Sequence, residues 1–150
     1  MPREDCLFCD IVSGRERSWC VHRDRYVMAL LDRYPMTRGH TLIIPIRHYE
    51  SMFDIPDPLL RRIISLSRGL CKTYEQALKI QGVSIQLLNH RLKTPVYRHF
   101  HLHVIPRYGK NDKRDPANAK PSQTFPMESE RSLNRTLSRI RAKLPQILLG

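Results

Sequence analysis

Acidic residues are scarce in this sequence. Its 150 residues include 14 Asp and Glu against 26 Lys and Arg, so the formal net charge is +12. The excess is denser toward the end, where residues 107–150 hold 10 basic against 4 acidic residues, while residues 1–106 hold 16 against 10. This charge favours acidic partners such as phosphates, nucleotides, nucleic acids or anionic lipids, although a solvated and soluble surface explains it equally well.

Long hydrophobic runs are also absent. No stretch approaches the ~18 apolar residues that a membrane-spanning helix needs. The charged opening MPREDCLFCD leads into no long apolar segment, so it does not have the form of a secretory signal. We therefore expect a cytoplasmic protein without a membrane partner. In that reducing compartment, structural disulfides are not expected among the four cysteines, Cys6, Cys9, Cys20 and Cys71.

The pattern of apolar residues predicts an α+β fold. Strand-like runs at 25–32, 40–46, 83–89 and 100–105, with a shorter one around 19–21, predict a mainly antiparallel sheet of about five strands. Residues 57–82 predict one long helix packed on that sheet, with Asp57 as its N-cap and Gly82 at its stop. Pro45 has no amide donor, so its strand is expected at a sheet edge or bent at that residue.

The composition changes after Tyr108, which divides the chain into a globular part, 1–108, and a basic C-terminal extension, 109–150. Within the extension, apolar residues at helical spacing predict an amphipathic helix over about 129–144. They are Leu133, Leu137, Ile140 and Leu144, and a separate basic stripe is formed by Arg131, Arg135 and Arg139. Such a helix most often docks on its own domain or on a second subunit.

Three of the seven histidines stand at alternate positions: His99, His101 and His103. Alternate side chains of a strand share a face, so the three imidazoles should lie together with the apolar residues between them on the other face. Neutral imidazoles suit two chemistries, as zinc ligands or as nucleophiles that attack phosphorus or carbon. The structural alternative is a polar, solvated strand face.

Three segments together resemble the histidine-triad (HIT) family over residues 5–108: DCLFCDIVSG (5–14), VMALLDRYPMTRGHTLIIPIRHYES (27–51) and HFHLHVIPR (99–107). The resemblance implies a homodimeric nucleotidyl hydrolase or transferase that acts on the α-phosphate of nucleoside phosphoramidates or dinucleoside polyphosphates. It makes His101 the nucleophile of a covalent nucleotidyl-histidine intermediate, with His99 and His103 orienting it and binding phosphate oxygens. The transferase branch has glutamine at the third position, so His103 favours the hydrolase branches.

The same resemblance implies the substrate-binding residues. Asp32 matches a residue that accepts hydrogen bonds from the ribose hydroxyls, Phe8 matches one that lines the base pocket, and Asn89 matches a polar residue near the phosphates. Simple core packing explains Phe8 equally well. Residues 89–98 depart from the family because they contain no glycine. Thr94 offers a hydroxyl there, and His90, Arg91 and Lys93 offer cationic side chains instead. That charge favours a polyphosphate leaving group.

The segment CLFC is a C-x-x-C pair, which alone fits either a redox pair or half of a zinc site. Some bacterial members of the resembled family bind zinc through this pair, the histidine after the second central strand and the first triad histidine. The matching positions are Cys6, Cys9, His48 and His99. Four ligands leave no open position, so such a zinc ion would be structural. No organic cofactor is expected.

Two other classes of function stay open. One is a non-catalytic module that binds nucleotides or nucleic acid, with the basic tail as its main contact. The other is a metal-dependent hydrolase with a catalytic ion on the three histidines, which is weakened by the lack of an obvious carboxylate ligand beside them.

Overall fold

A computed structural model of the chain describes residues 3–87, 98–109, 112 and 125–144. Its elements are α1 (Leu7–Ser13), β1 (Cys20–Arg23), β2 (Val27–Leu31), β3 (Thr41–Pro45), α2 (Asp57–Leu78), β4 (Gly82–Leu87), β5 (Leu102–Arg107) and α3 (Glu130–Arg141). The five strands form one sheet in the order β1-β2-β3-β5-β4, and every neighbouring pair is antiparallel. The predicted α+β class with a five-stranded sheet and a long helix is confirmed.

Each face of the sheet is covered by a separate group of apolar side chains. Val27, Ala29 and Leu31 of β2 join the larger cluster under α2 and α3, whereas Met28 and Leu30 join a smaller cluster with Phe8 and Ile11 of α1. Every residue of β2 and β3 is therefore buried. Continuous apolar runs in the sequence are typical of strands covered on both faces.

The long helix is confirmed and begins at Asp57 as predicted, but its predicted N-cap and its predicted stop are wrong. Pro56 is the N-cap residue, with no side-chain capping bond, and the helix ends at Leu78, followed by the C-cap Lys79, whose φ of 56° is left-handed. Gly82 is the first residue of β4 rather than the helix stop. The amide of Gln81 already donates to the carbonyl of Arg107 at 2.8 Å, so the chain must leave the helix early enough to join β5.

Pro45 does not lie in an edge strand, so the edge alternative of that prediction is wrong. β3 is central, between β2 and β5. On one side of β3, pairing with β5 includes only Thr41 to Ile43 and ends before Pro45. On the other side, Pro45 pairs with Val27 of β2. The missing amide therefore removes no hydrogen bond of the ladder, while the Pro45 carbonyl accepts a bond from the ring of His99 at 3.0 Å.

Helix α1 was not predicted. Its seven residues are too few for a helical period to stand out in the sequence. Cys6 is its N-cap, and the Sγ atom of Cys6 accepts a weak hydrogen bond from the amide of Cys9 at 3.5 Å. Gly14, with a φ of 79°, ends the helix and donates to the carbonyls of Asp10 and Ile11. The C-x-x-C pair thus opens a helix.

The predicted C-terminal helix is present over Glu130–Arg141, shorter than expected, and Ser129 caps it by accepting from the amide of Ser132 at 3.2 Å. Leu133 and Ile140 are at most 1% exposed in the larger cluster. The indole of Trp19 donates to Asn134 at 2.9 Å, so α3 docks on its own domain. The division of the chain at residue 108 stays a prediction. No helix in the described ranges is long and apolar enough to cross a membrane.

Candidate functional site

Only one triad histidine lies in a strand. His103 belongs to β5, whereas His99 and His101 precede the first residue of that strand, so the prediction that one strand holds all three histidines is wrong. The reason is that the amide of Phe100 donates to the carbonyl of Tyr49 at 2.6 Å, beyond the end of β3. The alternation itself holds, since the intervening side chains lie in the core of the larger cluster: Phe100, Leu102 and Val104.

The ring of His101 is held in one tautomer. Its Nδ1 atom lies 2.7 Å from the carbonyl oxygen of His99. A carbonyl can only accept, so we assign the proton to Nδ1, which leaves the lone pair of the neutral ring on Nε2. Burial lowers the pKa of His101, although the His99 carbonyl and the Asp32 carboxylate oppose this. The ring is therefore neutral at pH 7 and has the form that a nucleophile requires.

His99 carries the opposite tautomer. Its Nε2 atom donates to the Pro45 carbonyl at 3.0 Å, so the lone pair lies on Nδ1. That atom faces two thiols, at 3.5 Å from Sγ of Cys6 and 3.7 Å from Sγ of Cys9. On the other side of this group, Nδ1 of His48 lies 3.3 Å from Sγ of Cys9. The four side chains named by the resemblance are thus brought together.

These distances fit a tetrahedral metal ion. Ligands at about 2.0–2.3 Å from a tetrahedral zinc lie about 3.3–3.8 Å from one another. The three S–N distances given above, from 3.3 to 3.7 Å, fall within this range, and all four ligand atoms lie within 4.8 Å of one another. The bond from His99 to Pro45 also supplies the outer hydrogen bond that usually orients a ligand imidazole. The donor set therefore suits zinc.

Burial raises the pKa of the Cys6 thiol, and burial together with the guanidinium of Arg3 lowers the pKa of His48. A metal ion must therefore displace a proton from Cys6, while His48 is already in the neutral form that binds metal. The raised pKa of Cys6 makes metal binding weaker as the pH falls, whereas the lowered pKa of His48 keeps that imidazole available as a ligand.

His103 is oriented by His40, a residue that the sequence analysis did not single out. Nε2 of His40 and Nδ1 of His103 are 2.9 Å apart, and Nδ1 of His40 accepts from the amide of Met36 at 3.0 Å. An amide can only donate, so His40 carries its proton on Nε2 and donates it to His103. His103 therefore carries its own proton on Nε2, a buried atom without a hydrogen-bond partner in the described part of the chain.

Burial is the main reason that both rings are neutral. It lowers the pKa of His40 to about 3 and that of His103 to about 2, with smaller contributions from neighbouring histidines. Asp32 lies beside them, with Oδ2 3.7 Å from Nε2 of His40. Burial raises the pKa of Asp32, while its Oδ1 accepts from the amide of Tyr34 at 2.8 Å. The arrangement offers a donor at His103 and an acceptor at Asp32.

Asp32, His40 and His103 form a second group that could hold a metal ion. It supplies the carboxylate that was missing for a catalytic ion on the triad. However, an ion would need the lone pair of His40 on Nε2, which puts the proton on Nδ1, where it would point at the amide of Met36. Two donors facing each other in a buried place are unfavourable. The geometry thus favours a hydrogen-bond chain over a second metal centre.

The other predicted site residues have different outcomes. Phe8 is 4% exposed and packs on both neighbouring rings, with centroids 5.6 Å from His99 and 5.3 Å from His101. It therefore lies at the site and in the core at once. Asn89 and Thr94 lie outside the described residues. His40 is a functional candidate that could have been found, since it stands between the turn glycine Gly39 and β3 in a chain with few histidines.

The sequence is similar to a known family of proteins and to individual members of it. Residues 14–110 match the family model described as HIT domain. An uncharacterized HIT-like protein from Methanocaldococcus jannaschii is 38% identical over 105 residues, which is 69% of this chain and 79% of that protein.

Solved structures agree with this match. A Zn-bound histidine triad family protein from Mycobacterium smegmatis has a TM-score of 0.79 at 27% identity, over 96% of each chain. A HIT family hydrolase from Legionella pneumophila has a TM-score of 0.58 at 30% identity, over 67% of this chain and 90% of its own.

Proposed function

This chain belongs to the histidine-triad (HIT) family, and we propose that it is a nucleotidyl hydrolase that uses His101 as its nucleophile. The substrates are nucleoside phosphoramidates or dinucleoside polyphosphates, attacked at the α-phosphate. The observation that carries the proposal is the 2.7 Å bond from Nδ1 of His101 to the His99 carbonyl, which leaves a lone pair on the other nitrogen. The hydrolase named among the similar structures supports the reaction class.

The reaction has two steps. Nε2 of His101 forms a bond to the α-phosphorus as the bond to the leaving group breaks, and the departing atom takes the electron pair and, from solvent water, a proton. The His99 carbonyl, which accepts from Nδ1–H of His101, stabilises the positive charge that develops on the ring. Water then attacks the phosphorus and releases a proton to solvent, the P–N bond breaks with its electron pair returning to Nε2, and a nucleoside monophosphate leaves. The Nε2–H group of His103 donates to the charged phosphate oxygens.

Asp32 and Phe8 hold the nucleoside. A carboxylate that accepts from both ribose hydroxyls suits a diol, and Asp32 keeps an oxygen for this because the amide of Tyr34 is bound by Oδ1 alone. Phe8 offers an apolar side chain beside His101. In this proposal, Asn89 and Thr94 bind the phosphate groups of the substrate. Of the two substrate classes, the cationic residues in 89–98 favour the polyphosphates.

The test compares wild type with His101→Asn on adenosine phosphoramidate, an adenosine-lysine phosphoramidate and diadenosine polyphosphates. Asparagine keeps a similar size but has no ring nitrogen to attack. We expect turnover by wild type alone, with a nucleotide adduct on His101 detected by mass spectrometry after an alkaline quench. The matched control is His22→Asn, which removes a histidine of β1 that contacts Asp24 instead of the site.

Equal turnover by wild type and His101→Asn would exclude this nucleophile. Tight nucleotide binding without any turnover would favour the non-catalytic alternative. Loss of activity after chelation, in a protein that stays folded, would favour the alternative of a metal-dependent hydrolase with a catalytic ion on the three histidines.

Zinc is the second part of the proposal. Cys6, Cys9, His48 and His99 bind it as a structural ion that ties α1 to the triad, supported by the ligand distances and by the Zn-bound relative. His99 then has two tasks, since its ring is a ligand while its carbonyl holds His101.

The third part is a homodimer formed at the β4 edge of the sheet. β4 pairs only with β5 among the described residues, so its outer backbone groups are available to another strand. Ile85 of β4 is 46% exposed, and Ile64 of α2, which packs on the same sheet, is 49% exposed. Pairing of two β4 strands across a twofold axis would satisfy the edge and cover Ile85.

A further inference from the structure

Helix α3 carries a row of cationic side chains that the proposed hydrolysis does not use. Arg131, Arg135 and Arg139 follow one another every four residues, a rise of about 6 Å per step, and all three are exposed. The opposite side of the helix is buried through Leu133, Thr136 and Ile140. We define these three arginines as the α3 row.

Within the described residues, none of the three arginines of the α3 row forms an ion pair with a carboxylate. The single acidic residue of α3, Glu130, pairs instead with Arg17 at 2.9 Å. The helix also contributes a fourth arginine, Arg141, whose guanidinium donates to the carbonyl of Cys20 at 2.6 Å. The helix therefore has an excess of positive charge on its solvent side.

We propose that the α3 row binds the phosphate backbone of a double-stranded nucleic acid. Guanidinium groups present paired donors that match phosphate oxygens, and each phosphate that they neutralise releases condensed counterions. The net charge of +12 adds long-range attraction to any such polyanion. Regularly spaced, uncompensated arginines on a rigid helix are a surface of this kind.

Two other partners fit the helix less well. Binding to a lipid surface needs apolar side chains for insertion, but Leu133 and Ile140 are at most 1% exposed. A single strand is normally held by aromatic side chains that stack on its bases, and α3 contains no aromatic residue. A duplex carries about one charge per 1.7 Å of axis, twice the density of one strand, so it suits a surface that contacts the backbone alone.

The surface is separate from the candidate active site. α3 packs on α2 and on β1, at the sheet edge opposite β4. The triad side chains lie instead with Phe8 of α1, on the other face of the sheet. Binding at the α3 row therefore needs neither the proposed hydrolysis nor the proposed dimer edge, and it is tested independently of both.

The test is fluorescence anisotropy of the full chain with a labelled 20-bp DNA duplex at 50 to 200 mM salt. Three phosphate contacts predict about a 40-fold loss of affinity across this range. Arg135→Gln/Arg139→Gln keeps good helix formers and should reduce the slope of log affinity against log salt by about 1.8. The matched control is Arg25→Gln/Arg47→Gln, which removes two exposed arginines that stack on Tyr26 and Tyr49 at 5.5 and 5.7 Å.

The control should retain the wild-type slope, and circular dichroism should show both variants folded. An equal loss in both variants would mean that net charge, and not the α3 row, attracts the duplex, which overturns the proposal. So would tighter binding of a single strand of the same length, or binding of phosphatidylserine vesicles without binding of the duplex.

Discussion

Around the triad, main-chain groups determine which ring nitrogen of each histidine carries the proton. The Met36 amide, the Pro45 carbonyl and the His99 carbonyl are main-chain groups with one role each, and each dictates which nitrogen of a neighbouring ring bears hydrogen. Because the backbone cannot change role, each ring keeps one tautomer as long as the fold is intact. The lone pairs of His99 and His101 are consequently aimed in different directions.

His40 should act as a positioning residue for His103. We predict that His40→Ala lowers kcat about tenfold to hundredfold, the scale seen when the outer partner of an oriented imidazole is lost. Without the donor at Nδ1, His103 is free to move its proton there. ¹⁵N chemical shifts of His103 should report the tautomer change directly. A normal His103 tautomer in His40→Ala would contradict this role, and His22→Ala serves as the control.

Stability should fall as the solution becomes acidic. The folded pKa values of His40 and His103, about 3 and about 2, lie below the usual 6.5, so the unfolded chain takes up protons first. The contribution of the two neutral rings to the free energy of unfolding is thus complete above about pH 6.5. It decreases as pH falls, by at most ~1.4 kcal/mol per pH unit for each ring. Urea unfolding at pH 7, 6 and 5 measures this free energy.

The comparison variant for this pH dependence is His40→Gln, which removes one titrating ring and should show a shallower decrease than wild type. His22→Gln should keep the full decrease, since His22 lies outside the cluster. An unchanged decrease in His40→Gln would mean that other groups cause the acid sensitivity.

At the scale of elements, two helices attach to the sheet by different means. The smaller cluster around α1 contains six buried residues, and the C-x-x-C pair lies at the start of this short helix. Helix α3 instead inserts Leu133 and Ile140 into the larger cluster. Zinc at α1 and apolar burial at α3 are therefore expected to stabilise the two attachments.

Removal of one zinc ligand should loosen α1. We predict that Cys9→Ser, purified without chelator, retains less than a tenth of an equivalent of zinc and has a lower Tm, since metal binding contributes directly to folding. Cys71→Ser, on α2 and away from the ligands, should keep one equivalent per chain. Wild-type protein that is free of zinc while its thiols are intact would rule the site out.

Truncation of a buried side chain of α3 should destabilise the whole domain. Leu133→Ala removes a side chain that is 1% exposed and should reduce the free energy of unfolding by about 2–5 kcal/mol. Ser138→Ala, on the exposed side, should change it by about 0.5 kcal/mol or less. Chemical denaturation of both variants checks this, and similar values for the two would show that α3 is only loosely attached.

At the scale of the whole molecule, the two edges of the sheet differ. The β1 edge is covered by α3, which contacts β1, whereas β4 has an open outer side within the described residues. An open edge invites pairing with another chain. This asymmetry favours one dimer interface at β4 and leaves the α3 row at the far side of each protomer.

A charge at the open edge should break the dimer. Ile85→Lys places an ammonium group at the proposed interface, so we expect sedimentation to shift from about twice the chain mass toward the mass of one chain. Phe53→Lys is the control, because Phe53 is 74% exposed and lies in the turn before α2 rather than in β4. A monomeric wild type, or a dimer that Ile85→Lys leaves intact, would contradict the β4 interface.

Local patterns in the sequence were enough for the main elements. The five strands, the long helix and the C-terminal helix each follow from apolar periodicity, which depends on burial and is visible along the chain. The spacing of the three histidines and the resemblance identified the candidate nucleophile and the four candidate metal ligands, and the fold brings those ligands within 4.8 Å of one another.

Only the tertiary structure decided where α2 ends, the central position of Pro45 and the orientation of His103 by His40, and it also revealed the short helix α1. The first three depend on partners far away in sequence: Arg107 for the exit from α2, His99 for the Pro45 carbonyl, and His103 for His40. Periodicity reports whether a side chain is buried. It does not report which backbone group lies opposite a ring nitrogen, and that contact decides where the proton is held.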